Sequence, residues 1–435
     1  MIRRFTLLCA TLLLIIGPAS YACSSNDNSP PKALAGTYTL IIEGFDWGPA
    51  VNKVVLSMED EVSTVDKAQY SVTATRSAKG ADLPGASGSR AVLHAYVSDA
   101  SGLVVSKGKF ITLVLAIAPN DPLGSPIQYL RQGGRGANQW IDYKLTIQNE
   151  SSNQVWDQES GRIMPLIDQF DLNGKYTHKN GIKLTYASYE PENTSDKQPL
   201  IIWLHGGGEG GTDPSIPLIA NRAANYAAPE IQRHFGGAYV LVPQSPTFWM
   251  QNAEGSYTRG QVNDIYNQAL MGLIRDFVQK NPKIDADRIY VGGCSNGGYM
   301  SLKLILQHPE YFAAGYISAL AYNSEFITNE QIKSIKQVPI WFIHSKDDPV
   351  TKPNETAVPV YERLKAIGAP NVYFSYFDHV VDITGVFGGE GYHYSGHWSW
   401  IYSHANKAAL DYDGKPVMLD GKAVTVMEWM AAQSK

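Results

Sequence analysis

The sequence predicts an α/β unit built on a mostly parallel sheet, preceded by an all-β unit. Three observations carry this. Short stretches of alternating polarity fill residues 36–150, and near-continuous apolar runs separated by helical stretches fill residues 166–435. One of those runs, Arg288-Ile289-Tyr290-Val291, leads into Gly293-Cys294-Ser295-Asn296-Gly297 immediately before a helical stretch. A chain of 435 residues is too long for one ordinary core. Its 44% hydrophobic and 18% charged residues exclude a disordered or coiled-coil protein.

The first residues obey a different logic. Arg3 and Arg4 precede the apolar run Leu7 to Ile16, and Ser20 and Ala22 place small residues where cleavage would occur, so residues 1–22 are expected to be an export signal. Cys23 follows directly, then the polar stretch Ser24 to Pro31, which makes residues 23–35 a flexible tether. The arrangement resembles a bacterial lipoprotein acylated on Cys23, although Ser20 stands where such signals usually carry Leu. Two readings follow, a lipid-anchored protein of the outer surface or periplasm and a freely secreted one. Cys9 leaves with the signal and Cys294 adjoins Ser295, so no disulfide framework is expected. No later segment reaches about 18 uninterrupted apolar residues. Loss of Arg3 and Arg4 takes the formal net charge from -5 to -7, and the absence of a basic stripe excludes nucleic acid as a partner.

Within residues 36–150, β structure is expected at Thr37 to Ile42, Lys53 to Ser57, Gln69 to Ala74, Ala91 to Val97, Phe110 to Leu115 and Tyr143 to Ile147. Six or seven such strands predict an immunoglobulin-like sandwich, with residues 151–165 as a polar linker to the second unit. That unit opens with a hairpin turned at Lys179-Asn180-Gly181. Apolar strands follow at Leu200 to Leu204, Ala238 to Val242, Arg288 to Val291, Ala313 to Ile317, Pro339 to Ile343 and Val372 to Phe377. Helices expected at Val262 to Lys280, Gly298 to Gln307 and Val358 to Ile367 supply the crossovers.

A G-x-S-x-G sequence between a buried strand and a helix is what a nucleophile elbow requires. A serine alcohol reacts only with a base, an acid and an oxyanion hole around it. His205 to Gly211, directly after the first buried strand, offers glycine N–H groups, and the hole is assigned to the N–H groups of Gly207 and Asn296. The same glycines fit G-x-G-x-x-G, but no acid ends the next strand at the ribose-binding distance, so no cofactor is expected. Asp347 and Asp348 follow the strand Pro339 to Ile343, while His379, His393, His397 and His404 follow the last strand. Asp348 is preferred because its Asp-Pro-Val ending resembles the acid loop of many α/β-hydrolases. His397 is preferred as the base because it lies on a glycine-bearing loop before the closing helix. Gly396 interrupts His393-x-x-x-His397 and the Glu of a zinc motif is missing, so no metal is expected. Phe248, Trp249, Tyr257 and Trp398 are candidates for the substrate wall, and Glu209 and Arg222 for a pair bracing the oxyanion loop.

His205 to Gly211 with Thr212-Asp213, Ala220-Asn221-Arg222, Val242-Pro243-Gln244, Arg288-Ile289-Tyr290, His344 to Val350 and Gly396-His397 with Trp400 together resemble prolyl-oligopeptidase-like bacterial esterases that bear an N-terminal immunoglobulin-like domain. The resemblance runs from about Lys53 to the C-terminus. It implies an α/β-hydrolase fold, a triad of Ser295, Asp348 and His397, an ester substrate, small or polymeric, and homo-oligomerisation through the N-terminal domain. Peptidase action is the alternative it carries, and the expected export points to feruloylated or acetylated carbohydrate, lipid ester or polyester as the substrate. Cys294 and Asn296 depart from the usual residues around the serine. Residues 406–425 read as an insertion, a decorative hairpin or a pocket rim.

Overall fold

The computed structural model describes residues 35–132, 135–192 and 196–435; the expectations for residues 1–34, Cys23 included, lie outside them. The N-terminal domain comprises strands β1 (Ala35–Phe45), β2 (Gly48–Val62), β3 (Tyr70–Ser77), β4 (Ser87–Ser89), β5 (Val92–Ser98) and β6 (Gly108–Leu115). It continues with β7 (Ile127–Gln132), β8 (Arg135–Trp140), β9 (Asp142–Asn149) and β10 (Gln154–Ile163). Eight of these make one hydrogen-bonded sheet in the order β4-β3-β9-β10-β1-β2-β6-β5. Alternation is the local cause. Tyr70, Val72 and Ala74 of β3 and Tyr143, Leu145 and Ile147 of β9 are buried, and the residues between them are exposed. Arg90 ties the folded sheet together from inside. Its buried guanidinium donates to the carbonyls of Val51, Ala116 and Leu123 and to the Tyr143 hydroxyl at 2.7–3.0 Å.

Residues 151–165 are not a linker. Strand β10 runs through them, parallel to β1 from Ala35↔Val155 to Ile41↔Ile163, and antiparallel to β9. The fully buried Trp156 anchors it, its indole N–H donating to the Ser57 carbonyl at 2.8 Å. Polar neighbours mask the strand in the sequence because only Trp156 faces the core fully. Strands β7 and β8 form a separate antiparallel hairpin that leaves the main sheet.

The C-terminal domain carries β11 (Asp171–Thr177), β12 (Lys183–Tyr189), β13 (Gln198–Leu204), β14 (Tyr239–Gln244), β15 (Ile284–Cys294), β16 (Ala314–Ser318), β17 (Ile340–Ser345) and β18 (Val372–Phe377). Their order is β11-β12-β14-β13-β15-β16-β17-β18, antiparallel up to the β12–β14 pair and parallel from β14 onward. Strands β13, β14, β16 and β17 are buried at every residue, as a sheet covered on both faces requires. Helices α1 (Ser215–Ala220), α2 (Pro229–Gln232), α3 (Asn267–Lys280), α4 (Asn296–Gln307), α5 (Asn329–Ser334), α6 (Ala357–Ala366), α7 (Trp400–His404) and α8 (Val426–Ala431) complete an α/β-hydrolase fold. Before α8, the small hairpin of β19 (Met418–Leu419) and β20 (Lys422–Ala423) belongs to the 406–425 segment, which packs on the sheet edge. There Tyr412 stacks on Tyr376 at 5.5 Å and Asp411 accepts the Phe374 N–H. The segment does not rim the central cavity. Among the described residues no helix is long and apolar enough to cross a membrane.

His404 is buried against Trp203 and Tyr226, ring centroids 4.5 and 5.1 Å away, and neither ring nitrogen has a hydrogen-bond partner among the described residues. Burial pushes its imidazole from 6.5 to about 3. The unfolded imidazole therefore takes up a proton as pH falls from about 6.5 to about 3 while the folded one stays neutral, so folding loses stability across that window. His404→Phe should keep the packing and flatten this loss. Urea midpoints at pH 7 and pH 4.5 check it; an unchanged difference between the two pH values would show that His404 is not responsible.

Candidate active site

Strand β15 ends at Cys294 and α4 begins at Asn296, so the chain reverses within Ser295, which adopts φ 53° and ψ -112°. Such geometry costs about 1–3 kcal/mol and persists only where the surroundings impose it. Here they do. The Ser295 N–H donates to the Ser318 carbonyl at 3.0 Å, and its carbonyl accepts from Tyr299 at 2.9 Å. A Cβ on Gly293 would lie 2.6 Å from the Leu204 carbonyl oxygen, and one on Gly297 would lie 2.6 Å from that of His205. Both glycines are therefore fixed by the close approach of β13 and the loop after it.

Asp348 follows β17 and is buried, and five donors converge on it. Val350 N–H and Thr351 N–H reach Oδ1 at 2.8 and 2.9 Å, while Thr351 hydroxyl, His344 Nε2 and His397 Nδ1 reach Oδ2 at 2.8, 2.8 and 2.9 Å. Burial alone would raise this carboxyl, but the bonds from His344 and His397 outweigh it and hold the group well below the usual carboxylate range. His344 is wholly buried, and burial keeps its imidazole below its ordinary value, so it serves as a neutral donor. His397 sits in the one-turn helix Gly396–Trp398 with Nδ1 on Asp348, its ring edge-on to Trp400 at 5.4 Å. Its Nε2 has no protein partner among the described residues. The competing residues lie elsewhere: Asp347 Oδ2 accepts from His379 Nδ1 at 2.8 Å near the surface, and His393 stacks on His379 at 4.2 Å.

Glu209, in the glycine loop after β13, is buried with both oxygens satisfied. Asn221 Nδ2 donates to Oε2 at 3.0 Å, and Asn138 Nδ2, from β8 of the N-terminal domain, donates to Oε1 at 2.8 Å. Burial raises the carboxyl, and the two amides counter this. The same hairpin binds the loop again. Asn138 N–H donates to the Gly208 carbonyl at 2.7 Å, Arg135 donates to the carbonyls of Gly210 and Thr247, and Trp140 Nε1 reaches Ser215 at 2.9 Å. The expected Glu209–Arg222 pair does not form. Arg222 instead binds Asp46 at the β1–β2 turn, 2.7 Å away, because the N-terminal domain brings a closer carboxylate.

These elements enclose a cavity of about 610 Å³ between the domains. Gly207, Tyr257, Ser295, His397 and Trp398 line its hydrolase side, and Trp47, Arg76, Tyr129 and Asn138 its N-terminal side. Trp249 and Phe248 do not line it. Trp249 is fully buried beneath the loop against His205 at 5.0 Å, and Phe248 lies under Tyr257 at 4.1 Å, so core packing takes both rings. Asn296 has a second use, since its Oδ1 accepts the Met250 N–H at 3.2 Å. Cys294 is buried with Asn221 Nδ2 3.4 Å from Sγ, and burial raises its thiol well above the ordinary value. Sequence reasoning missed Asn138, His344 and Thr351; the Asx or His character of isolated positions could have flagged the first two, and no sequence signal marks Thr351. No group of three metal-ligating side chains occurs among the described residues.

Residues 37–161 match the family described as the esterase Ig-like N-terminal domain, and residues 190–381 match the phospholipase/carboxylesterase family. Feruloyl esterase B of Neurospora crassa is 31% identical over 136 residues, 31% of this chain and 44% of that protein, so the chain spans less than half of that relative. A solved thermostable esterase superposes with a TM-score of 0.72 at 24% identity, covering 92% of this chain and 99% of its own. That likeness extends the shared fold across both domains.

Replacing Asn138 by Ala would leave Glu209 Oε1 buried without its donor, at about 1–3 kcal/mol. We expect reaction of Ser295 with a fluorophosphonate to slow by about tenfold, equivalent to about 1.4 kcal/mol. The second-order labelling rate of the variant checks this; a wild-type rate would show that the hairpin does not set the loop.

Proposed function

We propose that this chain, an esterase-type immunoglobulin-like domain joined to a hydrolase domain of the phospholipase/carboxylesterase type, is an exported serine carboxylesterase. One observation carries the reading: Ser295 and His397 share one cavity while His397 is held through Nδ1 by a buried, ionised Asp348. His397 Nε2 takes the Ser295 proton as Oγ adds to the ester carbonyl carbon, and the carbonyl electron pair moves onto oxygen. The N–H groups of Gly207 and Asn296 bind that oxyanion. Collapse expels the alkoxide, which takes the proton from His397 and leaves as the alcohol. Water then attacks the acyl-Ser295 with the same base, releasing the carboxylic acid and restoring the serine.

The cavity wall favours a ring-bearing ester over a straight alkyl one, since Trp47, Tyr129, Tyr257 and Trp398 all line it. The name of the fungal relative, a feruloyl esterase, points the same way. Peptidase action ranks behind. Greater turnover of aminoacyl-proline anilides than of nitrophenyl esters and methyl ferulate would reverse the order. Ser295→Ala should lower kcat on nitrophenyl butyrate by about 10⁴-fold or more without changing the melting temperature. Hydrolysis by that variant at the wild-type rate would overturn the assignment.

The sequence of residues 1–22 and Cys23 supports export with a lipid anchor. In a Gram-negative host, Cys23→Ala should move the mature protein from the membrane to the soluble fraction. A wild-type protein already soluble would establish plain secretion instead.

A further inference from the structure

Two backbone donors are assigned to the oxyanion hole, and the geometry points to a third: the hydroxyl of Tyr257 donates a hydrogen bond to the oxyanion formed at Ser295. This role rests on the serine-esterase reading and deepens it.

Tyr257 lines the cavity together with Gly207, Ser295 and His397. A methyl group placed on Gly207 would lie 3.1 Å from the Tyr257 hydroxyl and 3.9 Å from Asn296 Cβ. The phenol and Asn296 therefore both lie beside Gly207, on the patch of wall next to Ser295. The ring is held in place, stacked on Phe248 with centroids 4.1 Å apart and planes 18° from parallel. Its stem is held too, because Tyr257 bridges Gln251 and the Thr258 N–H donates to the Met250 carbonyl at 2.9 Å. Met250 in turn donates to Asn296 Oδ1, which links the tyrosine loop to the residue that supplies the second backbone donor.

The Tyr257 hydroxyl makes no hydrogen bond among the described residues, and the residue is half exposed, at 51%. Its donor is free for a ligand. Partial burial of the phenol and the neighbouring Tyr129 raise it above the ordinary value, so it keeps its proton at neutral pH. No covalent bond of Tyr257 changes in the reaction. The Oγ–carbon bond forms, the carbonyl pair moves to oxygen, and the intact phenol O–H points to the new charge.

Tyr257→Phe keeps the ring and its stack and removes only the donor. In the purified full-length protein we expect kcat for an ester to fall by about 10- to 100-fold with KM within about twofold, in line with the loss of one oxyanion donor. Affinity for a boronic acid, which forms a tetrahedral adduct on serine, should fall by the same factor, while inhibition by the product carboxylic acid should not change. Wild-type kcat and boronate affinity in the variant, or a loss confined to KM, would overturn the role and leave Tyr257 a wall contact. A wild-type protein that neither hydrolyses esters nor reacts with a fluorophosphonate would sink the serine-esterase reading, and the Tyr257 role with it.

Discussion

A carboxylate taken out of water must find donors for both oxygens or lose its charge. Glu209 meets that demand with one amide from its own domain and one from the other. Much of the site follows from this division. The glycine loop needs Asn138 to be complete, so the β7–β8 hairpin must dock there, and the docked hairpin roofs the cavity that holds Ser295. The N-terminal domain is therefore part of the wall around Ser295 as well as a neighbour of the hydrolase fold.

The acid side of the site solves a related problem within a single domain. Asp348 is buried, yet backbone, hydroxyl and imidazole donors keep it ionised. His344 contributes because it is itself too deeply buried to charge. A neutral imidazole can satisfy a carboxylate oxygen without placing a positive charge beside His397. His397 then faces an anion whose geometry is fixed from several directions, which sets its tautomer and orientation. On the serine side, Asn296 fixes a loop through its amide, which gives this unusual neighbour of Ser295 a structural use.

The legible parts of the sequence were those governed by local pattern. Buried parallel strands announce themselves as continuous apolar runs, and the elbow by its glycines, because backbone proximity excludes side chains there. The order of Ser295, Asp348 and His397 along the chain was readable for the same reason, as each closes a strand or precedes a helix. What escaped was tertiary. Strand β10 was hidden because a single tryptophan anchors a polar segment. The β7–β8 hairpin was hidden because every residue of β8 is half-buried at an interface and shows no alternation. Phe248 and Trp249 were misjudged because composition does not reveal which of several neighbouring aromatic rings faces a cavity; Tyr257 does, Phe248 lies beneath it, and Trp249 packs under the glycine loop against His205.

The position of β10 also bears on how the chain is put together. The last strand of the N-terminal domain lies between β9 and β1, in the interior of the sheet and not at its edge. A nascent chain that has emerged only as far as residue 150 has β1 and β9 each lacking a neighbour and no Trp156 to fill the core. The domain closes only when residues 154–163 arrive, immediately before the hydrolase domain begins. Synthesis order and spatial order thus run out of step, and the ribosome must release the approach to the second domain before the first can finish folding.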